Sequence, residues 1–383
     1  VGPAAGPAVE LTQEQDRAVE LLATRLRKGA PLSTLFGHAG TGKTTTARHI
    51  AARVAARVAF CAPTGKAALV LRNKGVPATT VHSLIYRAVG DSRKELDRLS
   101  KLLAKERSKA KQEELRERIQ TLLGILSSPT FVLQEELAEK VEAIILDEAS
   151  MVSEQLLADL MSFGIPVLAL GDPAQLPPVK AVSPLAGEDY KPTVLLTQPH
   201  RFALDSSVHY FATRVRERGP RGVDSWREGS GLNYVDSFAP TVEMAEKLLE
   251  YDQVICGRNA TRLRLNTALR AVLGRAPDDL DDADRLVCLR NEPKLGLING
   301  EQYTVAQLAA ADVPEADLMQ IEGFSHLPLF GFAYAITAHK SQGSEWPRVV
   351  VFDESSAFGR DATKWLYTAI TRAADEVVVL RQK

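Results

Sequence analysis

Gly37-His38-Ala39-Gly40-Thr41-Gly42-Lys43-Thr44 fits G-x-x-x-x-G-K-[ST], the phosphate-binding loop of nucleotide triphosphatases. The chemistry asks for these residue types at this spacing. Gly37, Gly40 and Gly42 let the backbone curl so that successive N–H groups face one anion, with Thr41 between them. Lys43 adds a positive charge beside the outer phosphates. Thr44 offers a hydroxyl to Mg²⁺, and the helix that begins near Thr45 points its positive end at the phosphates. The flanks agree: residues 31–36 read as a short apolar strand, and residues 45–58 keep helical spacing. This single stretch commits the chain to an α/β sheet with nucleotide at the carboxyl ends of its strands.

Composition narrows the class. At 383 residues the chain calls for at least two domains. It is 45% hydrophobic, with no apolar run near the roughly 20 residues of a membrane span. Residues 1–8 read as a flexible tail, with no signal peptide. Cys61, Cys256 and Cys288 lack metal-ligand spacing and suit a reducing cytoplasm. A net charge of −1 means that any nucleic-acid contact must come from a local channel.

Along the chain, Thr12 and Gln15 satisfy a capping box. Gln15 has a second reading, since an amide about 25 residues before a phosphate loop can bond adenine. Residues 58–62 form a buried strand leading to Thr64-Gly65-Lys66. Thr80 and His82 follow a further short strand. Residues 91–123 change character. Leucines at helical spacing stand among dense Lys, Arg and Glu, which predicts a protruding helical arm, basic on balance. Residues 141–148 form an apolar strand that ends in Asp147 and Glu148. Asp147 suits Mg²⁺, and Glu148 can take a proton from an attacking water. Gln175, past the strand at 166–170, is expected to orient a water or sense the terminal phosphate. A second half is expected from about residue 185, with a strand at Val194 to Leu196 and then His200-Arg201. A small β insertion interrupts it near Leu297-Ile298-Asn299-Gly300.

The ordered set resembles superfamily 1 helicases, and within them the RecD-like and Dda-like enzymes of superfamily 1B, from about Leu11 to Leu380. LTQEQ looks like the adenine-reading Q motif, and GHAGTGKT is similar to motif I. APTGKAA and TVHSL resemble the DNA-contacting motifs Ia and Ib, while DEAS and GDPAQLPPV resemble motifs II and III. QPHR looks like motif IV, TAHKSQGSE like motif V and LYTAITRA like motif VI. The resemblance implies two RecA-like domains in tandem, ATP and Mg²⁺ as cofactors, and movement along single-stranded DNA in the 5′→3′ direction.

It further implies catalytic roles for Lys43, Glu148, Gln175, Arg201 and Arg372, the two arginines reaching across the cleft as fingers. Metal falls to Thr44 and Asp147. Nucleotide contacts fall to Gln15, the phosphate loop with Thr45, Gly343 and Glu345. DNA contacts fall to Thr64, Thr80, His82, Thr337 and His339. The implied division is a tail at 1–8, domain 1A at 9–90 and 127–184, and a helical 1B insertion at 91–126. Domain 2A then takes 185–285 and 328–383, with a small β, SH3-like 2B insertion at 286–327. Expected partners are single strands, their duplex junctions, and replication or recombination proteins, for a monomeric enzyme with no membrane contact. Two departures matter. The 1B segment is helical where relatives carry a β-hairpin pin, and the 2B segment is short. Both leave open a DNA-dependent ATPase that clamps or remodels protein–DNA complexes without unwinding.

Overall fold

The computed structural model describes residues 10–54, 57–88, 99, 111–112, 115, 118, 131–137, 140–177, 183–185, 190–198, 206–225, 231–276, 279–323, 325 and 327–383. Two parallel sheets organise them. The first has six strands in the order Ala78–Thr80, Val58–Ala62, Ala143–Leu146, Val167–Gly171, Leu32–Gly37, Val194–Leu196. Every neighbouring pair is parallel. Because the side-chain period of a strand is two, successive residues feed opposite cores. Leu35 and Ile145 join Leu22, Val19 and Ile50 beneath the Gln13–Arg27 and Lys43–Val54 helices. Phe36, Ile144 and Leu146 join Leu156, Leu157 and Leu160 of the Glu154–Met161 helix on the other face. A sheet covered on both sides accounts for the nearly uninterrupted apolar runs.

The second sheet repeats the plan with five parallel strands, in the order Ala335–Thr337, Gln253–Cys256, Trp346–Phe352, Ala373–Gln382, Leu232–Val235. Ile255, Val349, Val351, Val377 and Val379 pack with Trp365 and Phe211 on one face. Val254, Cys256, Val350, Phe352 and Val378 pack with Leu265, Leu269 and Leu248 on the other. Arg285–Cys288, Gln302–Thr304 and Phe330–Phe332 make a separate antiparallel sheet with its own small core around Leu286, Leu308 and Phe330.

Two expected boundaries shift. Val194–Leu196 pairs with Leu35, Phe36 and Gly37, so it closes the edge of the first sheet, and a second half cannot begin at 185. The pairing has a local cause: Thr193 N donates to Thr34 Oγ1 at 2.8 Å and fixes the incoming chain on the first sheet. The small β unit likewise extends past 327, since Phe330–Phe332 completes it. The helical arm expected at 91–126 lies almost wholly outside the described residues. Of it, Leu99, Lys111, Gln112, Leu115 and Arg118 are helical. The arm's interval is framed by a two-stranded antiparallel ribbon, Tyr86–Ala88 with Phe131–Leu133. Among the described residues, no helix is long and apolar enough to cross a membrane.

Candidate nucleotide site and cleft

The phosphate loop joins the Leu32–Gly37 strand to the Lys43–Val54 helix. Its glycines are required by geometry. Gly40 and Gly42 hold φ of 80° and 77°, in the left-handed region that a side chain resists. A Cβ on Gly37 would lie 2.4 Å from Thr41 Oγ1, so that glycine clears space for the loop itself. Lys43 folds back over this loop, its Nζ donating to Gly37 O at 2.7 Å and His38 O at 3.0 Å. Thr44 stands beside the Asp147 carboxylate and favours its charged form, and that carboxylate accepts the Glu148 N–H at 2.8 Å. Thr45 stands half-buried in the helix's first turn.

These residues fit a nucleotide with Mg²⁺. Mg²⁺ keeps most of its waters and is held by one or two protein oxygens together with phosphates. A Thr hydroxyl next to a strand-end carboxylate and a lysine is such a set. Among the described residues there is no cluster of three or more His, Cys, Asp or Glu that could hold a metal by itself. Burial raises the Asp147 carboxyl above the ordinary range, against the pull of Lys43. Glu148 is raised too, by burial and then by the adjacent Asp147 charge, while Arg372 and Lys43 work in the other direction. Glu148 sits at φ 52°, one of two non-glycine residues with positive φ among the described residues. A left-handed glutamate is strained, and such strain concentrates at functional sites.

Gln15 closes the capping box and also reaches the phosphate loop. Its Oε1 accepts the Thr12 N–H at 3.0 Å in a complete capping box. Its Nε2 donates to Thr41 O of the phosphate loop at 3.2 Å. Gln175 is buried, and its Oε1 has no hydrogen-bond partner among the described residues. A buried amide oxygen left open is costly unless something polar arrives, which suits a residue that meets water or phosphate.

Arg372 comes from the second half. It lies just beyond the Ala362–Ile370 helix, directly after the C-cap Thr371. The side chain is buried, donating to Thr368 O at 3.0 Å and Ser344 O at 3.2 Å. Burial lowers its pKa, while the negative charges of Glu148 and Asp172 raise it. The expected partner finger, Arg201, lies outside the described residues. Gly343 (φ 74°) has the Ala67 Cβ 3.6 Å from where its own Cβ would be. That places it against the Gly65–Asn73 helix, and the next residue, Ser344, is the one that takes Arg372. Glu345, the residue after that, is exposed.

The threonines singled out for DNA share one local role. Thr64, Thr80 and Thr337 are each the N-cap of a helix at the carboxyl end of a parallel strand. They accept the N–H of Ala67 at 3.1 Å, Ser83 at 3.0 Å and Lys340 at 3.4 Å. His82 and His339 stand in the first turns of two of these helices, and burial lowers the pKa of both. The two halves meet here as well: Lys66 Nζ lies 3.5 Å from Lys340 O and 5.8 Å from the centre of the Trp346 ring.

Sequence reasoning missed a polar cluster between the halves. Asp172, directly after the Val167–Gly171 strand, is buried beside the phosphate loop, with His38 Nδ1 at 3.6 Å. Burial raises its pKa, but the His38 contact and the Lys43 charge outweigh that and leave it below the usual carboxylate range. Tyr367, from the second half, donates to Asp172 Oδ2 at 2.8 Å and accepts the Ala39 N–H at 3.1 Å. Both residues lay inside quoted motifs. Their signal, a strand-end acid and a tyrosine in an otherwise apolar helix, was available but had no partner until the halves were brought together.

The chain is similar to known proteins in both of its halves. The AAA domain family matches residues 10–237, and the UvrD-like helicase C-terminal domain matches residues 332–380. An ATP-dependent RecD2 DNA helicase of Deinococcus radiodurans is 26% identical over 95% of this chain and 48% of its own length. The chain thus spans about half of that relative. RecBCD enzyme subunit RecD of Mycobacterium tuberculosis is also 26% identical, over 96% of this chain and 68% of its own. Among solved structures, Bacteroides Pif1 bound to single-stranded DNA superposes with a TM-score of 0.51 at 17% identity, covering 97% of this chain and 92% of that one. It shares the fold of two RecA-like domains. The chain belongs to the AAA domain family, with RecD helicases among its relatives.

Proposed function

We propose that this chain is an ATP-dependent DNA helicase, which couples ATP hydrolysis between its two sheets to 5′→3′ movement on single-stranded DNA and to opening of duplex at junctions. The observation that carries the reading is Arg372: a guanidinium from the second half, buried in the charge field of Glu148 on the first. The relative named as a DNA helicase and the Pif1 structure with single-stranded DNA support the choice of DNA. A monomer working in the cytoplasm, with replication or recombination proteins as partners, completes the proposal.

ATP bound with Mg²⁺ supplies the phosphoanhydride bond whose hydrolysis drives the motor. Lys43 and the loop N–H groups bind the triphosphate, and Thr44 with Asp147 holds the metal. Glu148 orients the attacking water and receives its proton on a carboxylate oxygen, a task suited by a raised pKa. Gln175 holds that water or the terminal phosphate. Arg372, together with Arg201, neutralises charge that grows on the phosphoryl oxygens, a contribution of about 10³–10⁵ in rate. Gln15, Gly343 and Glu345 line the nucleotide's other contacts. Thr64, Thr80, His82, Thr337 and His339 grip the strand along the carboxyl ends of the two sheets, and cycles of closure move the two grips past one another.

Strand displacement from 5′-tailed and 3′-tailed duplexes tests the proposal. Unwinding of the 5′-tailed substrate, dependent on ATP and lost in Lys43→Ala, is the expected result. DNA-stimulated ATP hydrolysis with neither substrate unwound would favour a clamp or remodelling factor instead.

A further inference from the structure

Tyr367 is 1% exposed, and a phenol that deeply buried needs partners for its hydroxyl. It finds both across the cleft. The hydroxyl donates to Asp172 Oδ2 at 2.8 Å and accepts the N–H of Ala39, the third residue of the phosphate loop, at 3.1 Å. The other Asp172 oxygen accepts the Ala174 N–H at 3.0 Å. Neighbouring side chains of the second half hold the same loop further along. Thr368 Oγ1 accepts the Leu176 N–H at 2.9 Å, and Gln342 Nε2 donates to Leu176 O at 3.1 Å. The Asp172-to-Leu176 loop is therefore clasped at both ends by the other half.

The same helix governs Arg372. The guanidinium hangs on Thr368 O, one residue from Tyr367, and on Ser344 O. Wherever Tyr367 registers on the phosphate loop, Arg372 is carried with it. We infer that the Tyr367 hydroxyl is a positioning group, which docks the arginine-bearing helix on the phosphate loop through Ala39 and Asp172 and so sets how far the cleft closes. This rests on the proposed ATPase reading and adds to it a residue that touches neither the strand nor the reacting atoms.

Removing only the hydroxyl, in Tyr367→Phe, leaves Asp172 Oδ2 and the Ala39 N–H without that partner in the closed state, while the open state hydrates both. Two readouts test the consequence. In nucleotide-free protein, dyes on exposed Lys28→Cys and Glu246→Cys, one per half, report the cleft by energy transfer. The native cysteines are buried and leave this labelling clean. Tyr367→Phe should shift the population toward longer distances. In steady state, kcat should fall about ten- to a hundredfold with the KM for ATP changed less than about threefold. Asp172→Ala, in a double-mutant cycle with Tyr367→Phe, should be strongly non-additive, since both remove the same contact.

Unchanged distances in the nucleotide-free protein together with unchanged kcat overturn the inference, as does an additive cycle. If wild-type protein shows no DNA-stimulated hydrolysis, the functional proposal fails. The nucleotide-free distances still judge Tyr367 in that case.

Discussion

Gln15 does two jobs whose energies can be separated. One amide oxygen closes the capping box on Thr12, and the amide nitrogen of the same side chain holds Thr41 O. Gln15→Glu keeps an oxygen for the cap, but loses the donor and sets a carboxylate against a carbonyl. Gln15→Ala loses both. We expect Gln15→Ala to cost about 1 kcal/mol of stability through the cap, and Gln15→Glu to cost much less. Both should weaken nucleotide binding. Thermal melting beside nucleotide titration reads the two effects, and equal melting losses would show that the cap oxygen carries no weight. Gly42 gives a sharper case. With φ at 77° and Gln15 Nε2 2.5 Å from where a Cβ would stand, Gly42→Ala combines backbone strain with a clash against the very amide that braces the loop. Nucleotide affinity should fall by tenfold or so, about 1.4 kcal/mol, with little change in far-ultraviolet circular dichroism.

Among the elements, those whose pattern was local were legible in the sequence, and those decided by distant pairing were not. The phosphate loop, the strand ending in Asp147 and Glu148 and the capped Gln13–Arg27 helix each carry their signal within a dozen residues, and the structure has them as expected. Val194–Leu196 reads as a strand from its own residues, but its sheet depends on Thr34 and Leu35, far away in sequence. Phe330–Phe332 and Ala335–Thr337 stand only two residues apart in the chain, yet they belong to different sheets. The site divides in the same way. Lys43, Thr44 and Asp147 were readable from motif spacing, whereas the Asp172–Tyr367 contact exists only once the halves face each other. One contact between elements is directly testable. A Cβ on Gly65 would stand 2.7 Å from Ile298 Cγ2, so the turn of the small β unit sits against the start of the Gly65–Asn73 helix. Gly65→Ala should destabilise by about 1–3 kcal/mol, and Ile298→Ala in that background should recover part of the loss. If the second substitution only adds to the first in urea unfolding, the two residues do not meet as described.

Taken as a whole, the molecule buries a cation between its halves. Lys66 belongs to the first half, but its ammonium faces the Lys340 carbonyl and the Trp346 ring of the second. Burial, followed by the charge of Arg372, pulls its pKa down to about 8. An unfolded chain holds that proton up to its ordinary pKa of about 10.4, so from about pH 8 upward the unfolded state binds more protons than the folded one. Stability should therefore rise with pH across that window, and the penalty of the buried charge should be constant below it. For a group that keeps some solvent contact, roughly 2 kcal/mol is the scale of this penalty at neutral pH. Lys66→Met keeps the stem and removes the charge. Its stability should exceed wild type near neutrality and converge on it as the pH approaches about 10. Lys340, also lowered by burial, titrates nearby, but it is present in both proteins and cancels in the difference. The same linkage governs closure, because an open cleft rehydrates Lys66 and restores its ordinary pKa. The ammonium thus opposes closure at neutral pH, and nucleotide binding must overcome it. Nucleotide-free Lys66→Met should populate the closed cleft more than wild type does, and raising the pH toward about 10 should close wild type by the same amount. Parallel pH profiles for the two proteins, in urea unfolding and in the cleft distance alike, would mean that Lys66 is solvated in both states.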